Sequence, residues 1–288
     1  MAEQIPQDPK QIFTEIGATG LRIYGGFVQD EFLVDLRGPK AAQVYREMET
    51  NDAVIGAVLF LLEMMVRQVK WHVEPFSEDA ADKERADIID NMRADMSFTW
   101  ADTLTEICSM FAYGWSYFEQ CFKRRTGGDP GQDESGQELP RSKFIDGLIS
   151  WHKWATRSQD TLFRWEVDKN GGIQGMHQIA PPIFAQQFLP IAKCLLFRTK
   201  VQKNNPEGFS VLRRIYRAWF FKKRFEELLG IGVERDLAGY PMMKIPEGVD
   251  IFNEKDSKMV ALKAQIEKLI KSVRRNQQEG MILPFGWE

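Results

Sequence analysis

The amino-acid sequence predicts an α+β fold, with helical and strand-forming segments in separate runs along the chain. Apolar residues in the segment 53–69 recur at the i, i+3, i+4 spacing of one helix face. Between residues 145 and 199 the pattern changes to alternation of apolar and polar residues, as in 163–167, which is typical of strands. The Asn170-Gly171 pair supplies the positive φ angles of a tight hairpin turn. A chain of 288 residues can bury roughly 75% of the surface that its unfolded form exposes, in one large or two modest domains.

The pattern of residues 1–114 predicts one irregular segment followed by three helical regions. Five glycines make residues 1–38 irregular, and a helical region follows over 39–69 with Asp52 as a cap or break. Residues 71–75 alternate like a short strand that ends at Pro75. Two further helices are expected over 80–96 and from Ala101, with Asp102 as a possible cap, to Gly114.

The remaining elements follow in order along the chain. Strands are predicted at 115–124, 194–199, 242–245 and 281–284, and helices at about 210–230 and 255–278. Between the first two strands, the Gly- and acid-rich segment 126–140 predicts a solvated loop. A calcium site through Asp129, Asp133 and Glu134 is the alternative, but the ligand spacing of an EF-hand is absent.

Composition argues against several classes of protein. The 38 Lys+Arg against 41 Asp+Glu give a net charge of −3, whereas gripping nucleic acid over a whole surface needs concentrated positive charge. Three cysteines without a C-x-x-C pattern indicate neither a disulfide framework nor a zinc site. The longest apolar run, 53–69, is short for a bilayer span and contains charges, so we expect no membrane partner.

No catalytic pattern stands out. The three histidines are not in H-E-x-x-H spacing, and neither a G-x-S-x-G nor a Walker lysine occurs. We therefore expect no cofactor, no metal and no enzymatic activity, although scattered carboxylates leave an active site without a motif open.

The segment from about Ser210 to Gly230 has the most informative pattern. As one helix, it would place three arginines within about 40° of each other, opposite an apolar side widened by phenylalanines. The candidates for this basic face are Arg213, Arg217 and Arg224. The candidates for an apolar subunit interface are Leu212, Ile215, Tyr216, Trp219, Phe220, Phe221 and Phe225.

Three interpretations of this helix stay open. It can be an ordinary buried helix with a solvated basic side, its aromatic residues can be covered by a neighbouring subunit, or its arginines can bind phosphates. The second interpretation places Trp219 in an apolar area that only sibling copies cover. Under it, Trp219→Ala would weaken assembly more than folding.

Five segments in order carry a family resemblance. They lie at 51–75, 112–120, 164–172, 205–223 and 234–246. The fourth, N-P-E-G-F-S-V-L-R-R-I-Y-R-A-W-F-F-K-K, is the most specific. Together they resemble the portal proteins of tailed bacteriophages, particularly the group that includes Mu-like phages.

The resemblance implies a structural protein that acts as a conduit. It implies a ring of twelve subunits at one capsid vertex, through which double-stranded DNA is packaged and ejected. The implied partners are sibling copies, the major capsid protein, the terminase large subunit and a head–tail adaptor protein. The implied location is the virion, with host cytoplasm during assembly. A capsid or tail scaffold subunit without a DNA channel is the alternative.

The resemblance also implies a portal-type fold in four regions. They are an N-terminal segment at 1–38, a mixed α/β wing at 39–203, a long stem helix at 204–236 and a small α/β clip at 237–288. The family pattern continues into a second stem helix and a crown, which we expect this chain to lack because it ends at Glu288. Either the chain is a truncated portal or the protein is a shortened one.

Overall fold

The computed structural model confirms the mixed α/β fold class. It describes residue 15 and residues 17–128, 131–132, 136, 138–238, 242–245, 256–272 and 281–283. Contacts between residues divide the chain into an N-terminal unit, Met1–Tyr216, and a C-terminal unit, Arg217–Glu288. The predicted division into four regions stays a prediction.

The described residues of the N-terminal unit form four helices and eight strands. The helices are α1 (Gly38–Asn51), α2 (Ala53–Gln68), α3 (Ala80–Ala94) and α4 (Trp100–Tyr113). The strands are β1 (Ile23–Tyr24), β2 (Phe27–Val28), β3 (Trp115–Arg124), β4 (Ile149–Arg157), β5 (Leu162–Val167), β6 (Ile173–Ile179), β7 (Gln186–Pro190) and β8 (Cys194–Arg198). Short 3-10 turns lie at Val34–Leu36, Gln159–Thr161, Ile191–Lys193 and Val211–Arg214.

Strand β3 is the centre of this unit. It pairs antiparallel with β4 and β8, while β5, β6 and β7 form a second antiparallel sheet. Neighbouring residues of a strand point to opposite faces, and here both faces are covered. Tyr117 packs on Trp165 of the second sheet, and Phe118 packs on Leu104 and Ile107 of α4. The core therefore lies on both sides of β3.

Local chemistry sets the helix ends. The Asp52 side chain accepts hydrogen bonds from the Val54 and Ile55 N–H groups at 3.0 and 3.2 Å, which separates α1 from α2 as predicted. Helix α4 ends at Gly114, also as predicted, with φ at 92°. Its start at Trp100 lies within one residue of the prediction, but Asp102 is not the cap: Thr99 Oγ1 caps the helix and accepts from the Asp102 N–H at 3.1 Å.

The structure contradicts two predictions, one of a strand and one of an irregular segment. Residues 71–75 do not form a strand in the structure. Residues 23–28, within the segment predicted to be irregular, form the β1–β2 hairpin and contribute Val28 to the core. The carboxylates considered for calcium, at 129, 133 and 134, lie outside the described residues.

The C-terminal unit contains the elements predicted for it. Helix α5 (Tyr216–Ala238) begins at the last residue of the preceding unit, and α6 covers Ser257–Ser272. Strands β9 (Met242–Lys244) and β10 (Met281–Leu283) pair in parallel. The predicted breaks at 239–241 and at Gly280 lie outside the described residues.

Neither a membrane span nor a metal site is found in the described part of the chain. No helix there is both long and apolar enough to cross a bilayer. No group of three or more His, Cys, Asp or Glu residues there is arranged to hold a metal ion.

A buried ion pair joins β3 to the end of α3. Lys123 Nζ lies 3.1 Å from Asp95 Oδ2, and both side chains are almost fully buried. The same ammonium donates to the carbonyls of Asp95 and Arg141, while the carboxylate accepts from the Ser142 hydroxyl and the Lys143 N–H. Burial alone would raise the pKa of Asp95, but these hydrogen bonds and the Lys123 charge outweigh it and lower that pKa.

We predict that Asp95→Ala lowers the free energy of unfolding by about 3–5 kcal/mol, because it leaves the Lys123 charge buried without its counter-ion. The matched control is Asp35→Ala, which removes the exposed pair with Lys40 and should cost about 0–1 kcal/mol. Urea denaturation of both variants measures the difference. Equal effects of the two substitutions would show that the Lys123–Asp95 pair does not stabilise the fold.

Candidate functional site

Two glycines bring the end of α4 against the loop that precedes α5. Gly114 has φ at 92°, and a Cβ there would lie 2.5 Å from the Glu207 carbonyl oxygen. Gly208 has φ at 55°, and its Cβ would lie 2.3 Å from the Gly114 carbonyl oxygen. Since a real Cβ does not approach an oxygen so closely, both positions require glycine. This crossing fixes where the segment after Gly208 begins.

Ser210 then sets the conformation of the next four residues. Its Oγ donates to the Ala112 carbonyl at 2.5 Å and accepts from the Leu212 N–H at 3.0 Å. Residues 211–214 consequently form a 3-10 turn, and α5 starts at Tyr216 rather than near Ser210 as predicted. Leu212 is buried within its own chain and has no surface to offer a neighbouring subunit. Its prediction as an interface residue is therefore wrong.

Arg213 does not share a helix face with Arg217 and Arg224, contrary to the sequence prediction. It lies in the 3-10 turn and pairs with Glu31 through two hydrogen bonds, of 2.5 and 3.0 Å. Its guanidinium also lies over the Phe32 ring, 5.1 Å from the ring centroid. Burial would raise the pKa of Glu31, but the hydrogen bonds from Arg213 and from the Leu33 N–H lower it. Arg213 therefore fastens the N-terminal segment to the turn before α5.

Helix α5 buries one of its predicted interface aromatics and exposes three. Trp219 is only 9% exposed, with the Lys223 ammonium 5.5 Å from its ring centroid. The expectation that only sibling copies cover Trp219 is therefore wrong. Phe220, Phe221 and Phe225 are exposed, the last at 66%. The other two interface candidates are Ile215, which is exposed, and Tyr216, which is half-buried.

The cations of α5 lie among its aromatic rings and not on an opposite face. The Arg217 guanidinium lies 5.8 Å from the Phe221 ring centroid, and that of Arg224 lies 5.6 Å from the Phe220 ring centroid. Arg224 also pairs with Glu227 at 3.3 Å. Such contacts attract a cation to the ring face and partly satisfy its charge. The separate basic and apolar faces predicted from helical geometry are thus one mixed surface.

A cleft that the sequence did not predict opens beside the glycine crossing. Its volume is about 420 Å³, and its walls come from residues 28–45, the loop 202–214 and the end of α4. Glu207 lines it and accepts a hydrogen bond from Trp165 Nε1 at 3.3 Å. Burial raises the pKa of Glu207 to about 7, and the Trp165 bond offsets only part of that rise. Glu207 belongs to the N-P-E-G motif of the sequence. Nothing in that motif indicates that the fold encloses its carboxylate.

A comparison with models of protein families confirms the predicted resemblance. A model of the family described as "Portal protein of Mu bacteriophage" matches residues 42–274. Among solved structures, a chain of the virion of a native gene transfer agent particle is 13% identical, with a TM-score of 0.47 over 91% of this chain and 61% of the other. A chain of the neck of an empty gene transfer agent particle is 14% identical, with a TM-score of 0.43 over 85% and 60%. The chain thus spans about three-fifths of the length of these solved chains.

We predict that stability falls as pH rises from about 4.5 to about 7, because folding raises the pKa of Glu207. The folded state holds this proton more tightly than the unfolded state does. The resulting stabilisation is therefore complete below pH 4.5, the pKa of Glu207 in the unfolded chain, and is lost as pH rises through about 7, its pKa in the folded chain. The free energy of unfolding should fall by at most about 3 kcal/mol over this pH range. Urea denaturation at a series of pH values measures it.

Glu207→Gln should remove this part of the pH dependence, since the amide does not ionise. Glu84→Gln is the matched control, because Glu84 is an exposed carboxylate on α3. If Glu207→Gln retains the pH slope of the unaltered protein, Glu207 does not titrate between these pH values.

Proposed function

The chain belongs to the family of Mu bacteriophage portal proteins, and from that premise we propose that it is the subunit of a ring at a capsid vertex. The family match covers residues 42–274, which includes both the β3-centred core and most of the C-terminal unit. Members of this family are structural proteins of the phage particle. The proposal adds the ring, the channel and the docking partners.

The observation that best supports a ring is the exposed apolar surface of α5. Phe221, Phe225 and Leu228 are large apolar residues that water reaches in the single chain. Burying such area is the main favourable contribution to protein association. In a closed ring each subunit presents two different surfaces to two neighbours. We therefore propose that a sibling subunit covers α5, with twelve copies closing the ring.

The four regions predicted from the sequence fit this arrangement. We propose that residues 39–203 form the wing, 204–236 the stem helix and 237–288 the clip, after an N-terminal segment at 1–38. The glycine crossing and the Arg213–Glu31 pair support the assignment, since both hold residues 208–213, at the start of the proposed stem region, against the N-terminal unit.

Charge supports a conduit that lets DNA slide. The chain has a net charge of −3, and Arg217 and Arg224 lie over phenylalanine rings. Each phosphate that a protein neutralises strengthens binding and slows movement along DNA. We propose that the channel surface is mixed or net negative and that double-stranded DNA passes through it during packaging and ejection.

The remaining partners follow from the same role. We propose that the ring docks the terminase large subunit, the head–tail adaptor protein and the major capsid protein, and that it has no enzymatic activity of its own. It would occupy the capsid vertex in the virion and the host cytoplasm during assembly.

We predict that the double variant Phe221→Ser, Phe225→Ser assembles into rings poorly while its subunit stays folded. The substitutions remove exposed apolar area, so folding should change little and association should weaken. Negative-stain microscopy and analytical ultracentrifugation measure assembly, and circular dichroism measures folding. Sheets, shells or tubes formed by the unaltered protein would instead support a capsid or tail scaffold subunit.

Two controls make this test specific. Phe76→Ser removes a phenylalanine that is 99% exposed outside α5 and should leave rings intact. Trp219→Ala removes a buried ring and should lower subunit stability by about 3–5 kcal/mol. Normal rings from the double variant would contradict the proposed role of α5.

We predict that the assembled protein binds double-stranded DNA only weakly at physiological salt, with a dissociation constant of about 10⁻⁴–10⁻⁶ M. Binding should weaken further as salt rises, because it depends on counter-ion release. Fluorescence anisotropy over a salt series measures this, with ATPase and nuclease assays on the same sample expected to be negative. Nanomolar binding that resists salt would contradict the sliding conduit.

A further inference from the structure

Helix α2 of the N-terminal unit is apolar on two sides. Its inner side packs in the fold through Ile55, which is buried, and through the partly buried Leu59, Leu62 and Val66. Five large apolar residues of α2 are more than half exposed, and all of them except Phe60 project to one side of the helix. We call these four the α2 stripe: Val54, Val58, Leu61 and Met65.

The α2 stripe has the geometry of a helix-packing surface. Its residues are spaced four, three and four apart along the chain. At 100° per residue they project within about 60° of one another, in a narrow line parallel to the helix axis. This spacing is that of the seam along which two helices pack at a shallow crossing angle. A second helix is therefore the element that fits the stripe.

The stripe contains no charge. The charged residues of α2 are Glu63 and Arg67, which pair with each other at 3.4 Å and project more than about 100° away from the stripe. Glu63 also accepts a hydrogen bond from Thr105 Oγ1 of α4 at 2.8 Å. Interfaces that form and dissociate have the mixed polarity of ordinary protein surface, whereas permanent ones between copies are more apolar. The composition of the stripe thus favours a permanent interface.

We propose that the α2 stripe packs against a helix of a neighbouring copy of this chain. The inference rests on the proposed ring and adds a second contact to it, on the wing instead of on the stem. A sibling copy is present as soon as the chain is made, so it can cover the stripe before capsid or tail proteins arrive. The chain also offers a helix with matching spacing, since Phe221, Phe225 and Leu228 on α5 follow the same four-and-three pattern.

Hydroxyl-radical footprinting of the unaltered protein tests the proposal without any substitution. Met65 is 59% exposed in the single chain, and its thioether oxidises readily. We expect its oxidation rate to fall at least about fivefold in assembled rings relative to subunits dissociated by dilution. Phe76, which is 99% exposed, is the internal control and should react equally in both samples. Equal oxidation of Met65 in rings and in free subunits would overturn the proposal.

A charge on the stripe provides the second measurement. Leu61→Glu keeps a good helix former at an exposed position, so the subunit should stay folded. We expect it to raise the concentration needed for half-maximal ring assembly at least about tenfold, because a carboxylate would have to be buried. Ile145→Glu is the matched control, as Ile145 is 84% exposed and lies outside the stripe.

The outcomes separate this inference from the proposed function. If the unaltered protein forms no ring, the proposed function fails. If rings form, but Met65 stays reactive in them and Leu61→Glu assembles normally, the proposed α2 contact is contradicted and the proposed ring is not. Protection of Met65 in rings together with impaired assembly of Leu61→Glu supports both.

Discussion

The structure depends on the close crossing of the Gly114 and Gly208 backbones. Strand β3 starts directly after Gly114, and the segment leading to α5 starts directly after Gly208, so one contact joins the core to that segment. The Thr199 hydroxyl strengthens the junction, since it lies 3.2 Å from the Gly114 carbonyl and 2.6 Å from the Phe209 carbonyl. Any side chain at either glycine would meet backbone, which cannot move aside as a flexible side chain can. The position of Gly208 against the end of α4 is therefore fixed by main-chain sterics.

Features that the sequence predicted correctly are those controlled by neighbours a few residues away. Asp52 caps α2 through the N–H groups of Val54 and Ile55. The predicted turn at Asn170-Gly171 does join β5 to β6, although Gly171 alone of the pair has the positive φ that was expected of both. Hydrophobic periodicity also predicted the existence of all the described helices. Each of these signals acts within one or two turns of the chain, where a single sequence contains the whole cause.

Features that the sequence missed are controlled by distant residues. Arg213 leaves the predicted basic face because Glu31, 182 positions earlier, binds it. Residues 71–75 have strand-like alternation, but Trp71 packs edge-to-face on Trp100 with 6.3 Å between ring centroids, and no neighbouring strand pairs with this segment in the described part of the chain. The partial burial of Glu207 likewise depends on the N-terminal segment and α1, which only the folded chain brings to the cleft.

The two exposed apolar helices differ in how a free subunit can tolerate them. On α5 the arginine side chains lie across the phenylalanine rings, so their methylene stems and weakly hydrated guanidinium groups shield part of the apolar surface from water. Arginines that looked suited to phosphate binding can thus keep an aromatic helix soluble before assembly. On α2 the two charged residues project away from the exposed stripe and offer no such shielding. Because exposed apolar patches of this kind promote aggregation, α2 is the helix that more urgently requires permanent cover.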